Sequence, residues 1–258
     1  MKIATFNVNS LRARIDNVVA WIERAEPDVL LLQELKCETA SFPREPFEAR
    51  GYASAVVGQK SWNGVAILSR RGIDGPVLER LPGEPEDEQA RYVEATVAGV
   101  RVAAIYLPNG NPVGTEKYPY KLRWMARLKA HARDLLARGG PVALGGDWNV
   151  IPAAADAADP SAWTEDALFR PETRRAFREI LHLGWTDAFR AVDARPHQFT
   201  FWDYQARAWE RDDGIRIDHV LLSPAAADRL KGAWVDRWPR GQEKASDHTP
   251  LVVELADD

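Results

Sequence analysis

The chain has 258 residues, 45% hydrophobic and 28% charged, with a formal net charge of −4. That suits one large globular domain with a substantial core; no apolar stretch is long enough to cross a bilayer, and Cys37, the sole cysteine, excludes an internal disulfide and favours a reducing compartment. The acidic balance weighs against a wholly basic polyanion binder, although acidic metal ligands lower the total and a local basic face is compatible with it.

Met1-Lys2 leads straight into an apolar run, Ile3–Phe6, so no signal peptide is expected. The first strand is expected to reach about Asn9, with Ser10 as the N-cap of a helix over 11–24. Strands are expected over 29–34, 53–57, 64–69, 92–97 and 100–107, and the acidic, proline-containing stretch 81–88 reads as a solvated loop. A long helix over 118–138 is apolar at Leu122, Met125, Leu128, Ala132 and Leu135. A strand to Asp147, a helix over 171–183, strands over 200–204 and 215–222, and a closing strand complete the order. Many strands with few, non-alternating helices predict two packed sheets covered by helices. No repeat or low-complexity linker divides the chain, and residues 1–258 read as one domain.

Polar residues that chemistry uses recur at the ends of the apolar runs: Asn7, Gln33-Glu34, Asp147-Trp148-Asn149, Asp218 and Asp247-His248. If the runs are neighbouring strands, these groups gather on one sheet edge as amides, carboxylates and an imidazole, the inventory of a metal-assisted hydrolase. Asp147 and Asn149 are two apart, so on extended backbone they face one side, where a carboxylate orients water and an amide donates to a phosphoryl oxygen. The alternative is a solvated turn; Gly145-Gly146 just before it favours close approach of another backbone or a ligand. Glu34 closes an otherwise apolar strand and requires either a metal or Lys36 as its partner. Asp218 shares a strand face with Val220 and Leu222, which points its carboxylate inward, where it would orient a histidine; His248 is the candidate, favoured over a merely structural histidine by the adjacent Asp247 and its place at a strand start. His131, His182 and His197 lack such company and are expected to be structural or surface residues. Tyr106 precedes the turn Leu107-Pro108-Asn109-Gly110, either as a packing residue or as a donor to a phosphate. Most of the 10 tryptophans belong to the core, but the stretch from Phe201-Trp202 to Trp209, with Arg207 and Arg211, is suited to wedging into nucleic acid.

Taken in order, these segments resemble the exonuclease III family of class II apurinic/apyrimidinic endonucleases, within the endonuclease/exonuclease/phosphatase superfamily. The resemblance is carried by Ala4-Thr5-Phe6-Asn7-Val8-Asn9, Gln33-Glu34-Leu35-Lys36-Cys37, Trp62-Asn63-Gly64-Val65-Ala66, Tyr106-Leu107-Pro108-Asn109-Gly110, Gly146-Asp147-Trp148-Asn149-Val150, Arg216-Ile217-Asp218-His219 and Ser246-Asp247-His248. It implies a DNase I-like four-layer α/β/β/α sandwich, two mixed sheets flanked by helices. It implies a Mg²⁺-dependent hydrolase, with Mn²⁺ able to substitute, that cleaves double-stranded DNA 5′ to abasic sites and leaves a 3′-hydroxyl; 3′→5′ exonuclease, 3′-phosphatase and RNase H-like activities are common in the family. By this resemblance Glu34 is the main metal ligand, with Asn7, Asp147, Asn149, Asp247 and His248 around the ion. Asp147 or His248 is the base, Asn149 and Tyr106 stabilise the phosphoryl transition state, and Asp218 supports His248 at the scissile phosphate. Substrate contacts fall on Asn9, Asn109, Phe201, Trp202, Gln205, Ile215 and Ile217. Phe201, Trp202, Ile215 and Ile217 would form the pocket for a flipped abasic sugar. Many relatives have tryptophan at the position of Ile215, and the smaller side chain predicts a wider pocket and relatively more 3′-end processing.

The expected partner is duplex DNA with abasic sites or blocked 3′ ends, met by a monomer in the cytoplasm at the nucleoid, with no membrane. Two other classes compete: a superfamily phosphoesterase acting on inositol phosphates, phospholipids or RNA tails, and a DNA-binding module without catalysis. Every expected catalytic position is filled, which speaks against the last.

Overall fold

The computed structural model describes residues 1–257. Its strands are β1 (Lys2–Asn7), β2 (Val29–Gln33), β3 (Ala53–Val57), β4 (Val65–Ser69), β5 (Asp74–Leu78), β6 (Tyr92–Val97), β7 (Val100–Tyr106), β8 (Val142–Asp147), β9 (Thr186–Asp187), β10 (Asp218–Leu222), β11 (Leu230–Val235) and β12 (Leu251–Leu255). The helices are α1 (Leu11–Ala25), α2 (Glu45–Glu48), α3 (Lys117–Arg138), α4 (Pro171–Leu181), α5 (Ala188–Val192) and α6 (Pro224–Ala227). The strands form two six-stranded sheets, ordered β11-β12-β1-β2-β4-β3 and β5-β6-β7-β8-β10-β9. Both are mixed: β1 runs parallel to β2 and β7 parallel to β8, while the remaining pairs are antiparallel.

Residue alternation sorts the side chains into layers. Ile3, Val29, Leu31, Val65 and Ile67 of the first sheet pack against Val93, Val102, Ala104, Ala143, Val220 and Leu222 of the second. The alternate residues Ala4, Phe6, Leu30 and Leu32 face Leu11, Val18, Trp21 and Ile22 of α1. Ala103, Ile105, Leu144 and Leu221 face Trp124, Met125 and Leu128 of α3 and Phe177 and Ile180 of α4. The expected α/β/β/α sandwich is therefore observed. Gly145 lets Leu31 of the facing sheet pack against its backbone: a Cβ there would sit 2.6 Å from Leu31 Cδ1. The glycine serves sheet-to-sheet packing, not a ligand.

Several local expectations are corrected. The first strand ends at Asn7, and Ser10 has φ 84° with no side-chain cap; its backbone N–H instead bonds the Glu34 carbonyl at 2.8 Å. Glu34 lies beyond its strand at φ 53°, and Asn149 at φ 48° is left-handed rather than extended, so spacing by two does not describe Asp147 and Asn149. Residues 200–204 form no strand; Phe201 makes isolated bridges to Ile215 and His248, and the strand expected from Ile215 begins at Asp218. The edge strands β5 and β11 carry little strand signal in the sequence, since Gly75 and Pro76, and Gly232, interrupt them and they lack a clean apolar alternation.

Candidate active site

The alternation that fills the space between the sheets also supplies the site at its open end. On β1 the inward positions Ile3 and Thr5 continue to Asn7; on β7, Val102 and Ala104 continue to Tyr106; on β8, Ala143 and Gly145 continue to Asp147; on β10, Leu222 and Val220 lead back to Asp218. The ladders align these ends, pairing Tyr106 with Asp147 and Asp147 with Asp218. The groups thus converge from both sheets, not along one sheet edge.

Asn7 joins the two halves. Its Nδ2 donates to Glu34 Oε1 at 2.9 Å and to Asp147 Oδ2 at 3.0 Å. Tyr106 Oη donates to the same Glu34 oxygen at 3.0 Å, and Lys36 Nζ lies 3.0 Å from Glu34 Oε2. Lys36 is thus a partner of Glu34, one of the two alternatives open from the sequence. Asp147 Oδ1 accepts the Asn149 N–H at 2.9 Å. His248 Nδ1 lies 2.9 Å from Asp218 Oδ2, and its Nε2 lies 3.8 Å from Asp147 Oδ2. Asn9 Nδ2 donates to Asp247 Oδ1 at 3.0 Å, while its carbonyl oxygen Oδ1 accepts from Lys36 Nζ at 2.6 Å.

Burial and neighbouring charge set the protonation states. Burial alone would raise Glu34, but the Asn7 hydrogen bond, Lys36 and His248 hold its carboxyl below the usual range. Asp147 is pushed up to about 7, first by burial and then by the charges of Asp218 and Glu34, against the opposing pull of His248. Burial disfavours the His248 imidazolium, yet Asp218 and Asp147 outweigh it and raise the group to about 10.

Glu34, Tyr106, Asn109, Asp147, Asn149, Phe201, Ile217, Asp247 and His248 line one cleft of about 230 Å³. Ile215 and Gln205 line an adjoining cavity of about 300 Å³, which shares Trp163, Asp166, Phe201 and Asp203 with the cleft. Trp202 is a correction. It is fully buried, packs edge-on against Trp209 and Phe199, and donates its indole N–H to Asp212 at 3.0 Å, so it lines neither space. Asp212 also binds Arg237 at 2.7 Å, and Asp213 binds Arg211 at 2.9 Å, so neither loop carboxylate is an uncompensated charge. The expectation for His131 holds, since it is buried against Glu94 at 2.7 Å; His182 and His197 are exposed.

The sequence reading missed Trp163, Asp166, Leu168 and Asn111 in the cleft wall. They come from irregular segments with no periodic signal; Asn111 Nδ2 donates to both Asp166 oxygens, at 3.0 and 3.1 Å. It also missed the network behind Asp218, where the fully buried Arg216 pairs with Asp156 at 2.7 Å and Asp187 at 2.9 Å, and contacts His219 Nδ1 at 3.0 Å. Burial, reinforced by Arg216, lowers His219 to about 4 and keeps it neutral.

One oxygen each of Glu34 and Asp147 and one ring nitrogen of His248 lie within 4.8 Å of one another, close enough to surround an ion. Carboxylate oxygens suit a hard divalent cation, which takes few protein ligands and keeps several waters. The model of the Endonuclease/Exonuclease/phosphatase family matches residues 4–248.

The chain belongs to that family. Exodeoxyribonuclease III of Haemophilus influenzae is 32% identical over 268 residues, covering 99% of this chain and 100% of that protein. An AP endonuclease from Archaeoglobus fulgidus superposes with a TM-score of 0.95 at 38% identity, covering 99% of both chains. The 3′ phosphatase NExo from Neisseria, solved with a product DNA hairpin, superposes with a TM-score of 0.96 at 41% identity, again covering 99% of both. The two sheets of the fold converge on Glu34, Asp147 and His248.

Proposed function

We propose that the chain is a metal-dependent DNA-repair phosphodiesterase: an AP endonuclease cleaving 5′ to abasic sites in duplex DNA, with 3′→5′ exonuclease and 3′-phosphatase activity. The observation that carries this reading is the junction of both sheets at Asn7, which ties the Glu34 carboxylate to the Asp147 carboxylate beside a His248–Asp218 pair. The relatives support the substrate, being named as an exodeoxyribonuclease, an AP endonuclease and a 3′ phosphatase.

Glu34 and Asp147 would hold Mg²⁺, or Mn²⁺ in its place, with Asp247 at the cleft rim and Asn7 fixing both inner carboxylates. When bound, the ion supplies charge stabilisation for the phosphoryl oxygens. The remaining chemistry falls to the chain. An imidazolium has no lone pair for a proton, so His248, kept charged by Asp218, donates to a phosphoryl oxygen and is neither base nor ligand in that state. Asp147, whose carboxylate lines the cleft beside the His248 ring, is the group placed to accept a proton from water. Asn149 stands on the cleft wall with an amide N–H to offer the charge that develops on the phosphoryl group, and Tyr106 becomes a second donor when its O–H turns from Glu34 to the substrate. Phe201 and Ile217 give the sugar an apolar wall, Asn109 and Gln205 border the path of the strand, and Asn9 reaches it through its bond to Asp247.

We further propose that the enzyme works as a monomer on nucleoid DNA in the cytoplasm. No helix among the described residues is long and apolar enough to cross a membrane.

A substrate panel tests the reading: duplex DNA with a tetrahydrofuran abasic analogue, duplex DNA with a recessed 3′-phosphate, an RNA tail and an inositol phosphate. Turnover of the two DNA substrates alone is expected. Preference for either of the others would transfer the site to a different phosphoester.

A further inference from the structure

Helix α3 buries Lys121 on the face it shares with Met125, Leu128, Ala132 and Leu135, and the lysine has no solvent exposure. A lysine in such a place is costly unless its nitrogen finds acceptors. Its hydrogen-bond acceptors among the described residues are two main-chain carbonyls, with the charges of Asp166 and Asp147 also favouring the ammonium. Nζ donates to Asn149 O at 2.6 Å and to Asn109 O at 3.0 Å. Those two residues follow the parallel strands β7 and β8, whose paired register ends at Tyr106 and Asp147. The ammonium therefore cross-links the two loops just beyond the point where the ladder stops.

The same two residues also meet through their side chains. Asn109 Nδ2 donates to Asn149 Oδ1 at 3.1 Å, and Asn149 Nδ2 donates to Leu107 O at 2.9 Å. Each amide nitrogen has two N–H groups, so each keeps one for the cleft that both residues line. Asn149 has left-handed backbone, φ 48°, which its surroundings must hold in place. Gly110 makes room for the lysine: a Cβ there would lie 2.7 Å from Lys121 Cδ. Burial pushes the lysine down to about 7, yet the ammonium and the neutral amine both carry the two N–H donors that the carbonyls use.

We propose that Lys121 is a positioning residue for phosphodiester cleavage, clamping the backbones of Asn109 and Asn149 so that their side-chain amides face the scissile phosphate. The proposal rests on the nuclease reading above and adds to it a residue that never touches substrate. It separates the clamp from mere core filling, because a methionine would fill the same space without donating.

The test is a double-mutant cycle on abasic-analogue duplex with Mg²⁺, with the side-chain amide resonances of Asn109 and Asn149 recorded on the same proteins. Lys121→Met is expected to lower kcat by about 30- to 100-fold with KM changed less than about twofold, the scale of a misplaced transition-state contact. In an Asn109→Ala, Asn149→Ala background the same change is expected to cost less than about threefold, because the lysine acts through those two amides. Lys121→Gln, which keeps an N–H donor, should recover part of the rate and serves as the variant if Lys121→Met does not fold. Multiplicative effects in the cycle, or unshifted Asn109 and Asn149 amide signals in the lysine variant, would overturn the clamp. A wild-type enzyme that leaves DNA intact would instead sink the nuclease reading, while the amide signals would still report on the clamp.

Discussion

His248 Nδ1 and Asp218 Oδ2 lie 2.9 Å apart, both side chains buried, while the other ring nitrogen of His248 stands 3.8 Å from Asp147. The pair fixes the ring and its charge together. Asp218→Asn removes the anion and leaves the shape. Burial then dominates, the imidazolium is less stable, and its pKa falls below the present value of about 10. We expect kcat to drop by about 10²-fold, with the alkaline limb of the pH–rate profile displaced to lower pH. The sign for stability follows from the raised folded-state value: the contribution is fully present below the unfolded value of 6.5 and is lost as pH rises through about 10. Chemical denaturation from pH 6 to 10 should show that loss in the wild type and a flatter curve in the variant.

Asn7 contacts both inner carboxylates through one nitrogen. Asn7→Ala leaves Glu34 and Asp147 present but free to turn. Outer partners of this kind are worth about 10–100-fold in metal affinity, and a fall of that size in Mg²⁺ affinity is expected by titration calorimetry. Unchanged affinity would mean that the ion does not sit between these carboxylates.

Ile215 is buried and lines the cavity of about 300 Å³ beside the cleft. Ile215→Trp is expected to fill that cavity and raise the ratio of abasic-site incision to 3′-phosphate removal several-fold, on the order of 1 kcal/mol of discrimination. Steady-state rates on the two substrates measure it. An unaltered ratio, or an overwhelming preference of the wild type for the internal site, would detach selectivity from this position.

Glu94, which does not line the cleft, is buried between Tyr92 at 2.5 Å, His131 at 2.7 Å and Arg101 at 2.6 Å. Burial would raise its carboxyl, but His131, Tyr92 and Arg101 overcome that and lower it to about 2. A depressed carboxylate stabilises the fold above its unfolded value of 4.5, and the stability is lost as pH falls through about 2. Discounted for the partly exposed Arg101, the contribution is on the order of 2 kcal/mol. Glu94→Gln should lower Tm at pH 7, flatten the acid limb of the stability curve, and leave kcat unchanged.

The sequence carried the fold where burial is continuous. β1, β2, β7 and β8 are buried on both faces, so they read as unbroken apolar runs with the polar groups of the site at their ends. It misled at Asn149 and Glu34, whose left-handed backbones no alternation rule reveals. Trp202 was misplaced because its neighbour Phe201 does face the cleft, and only packing against Trp209 shows which way an irregular loop turns. Lys121 was hidden for the opposite reason: a lysine on a helix is normally solvated, and its carbonyl partners become adjacent only when β7 and β8 pair.

The most direct test of the central claim is the rate of single-turnover incision of duplex DNA bearing one tetrahydrofuran analogue, with Mg²⁺ and with EDTA, for the wild type and for Asp147→Asn. Incision by the wild type with Mg²⁺ alone, lost with EDTA and reduced by at least about 10²-fold in the variant, is the expected result. Cleavage that persists in EDTA, or a variant as fast as the wild type, would contradict a metal-assisted site in which Asp147 takes the proton.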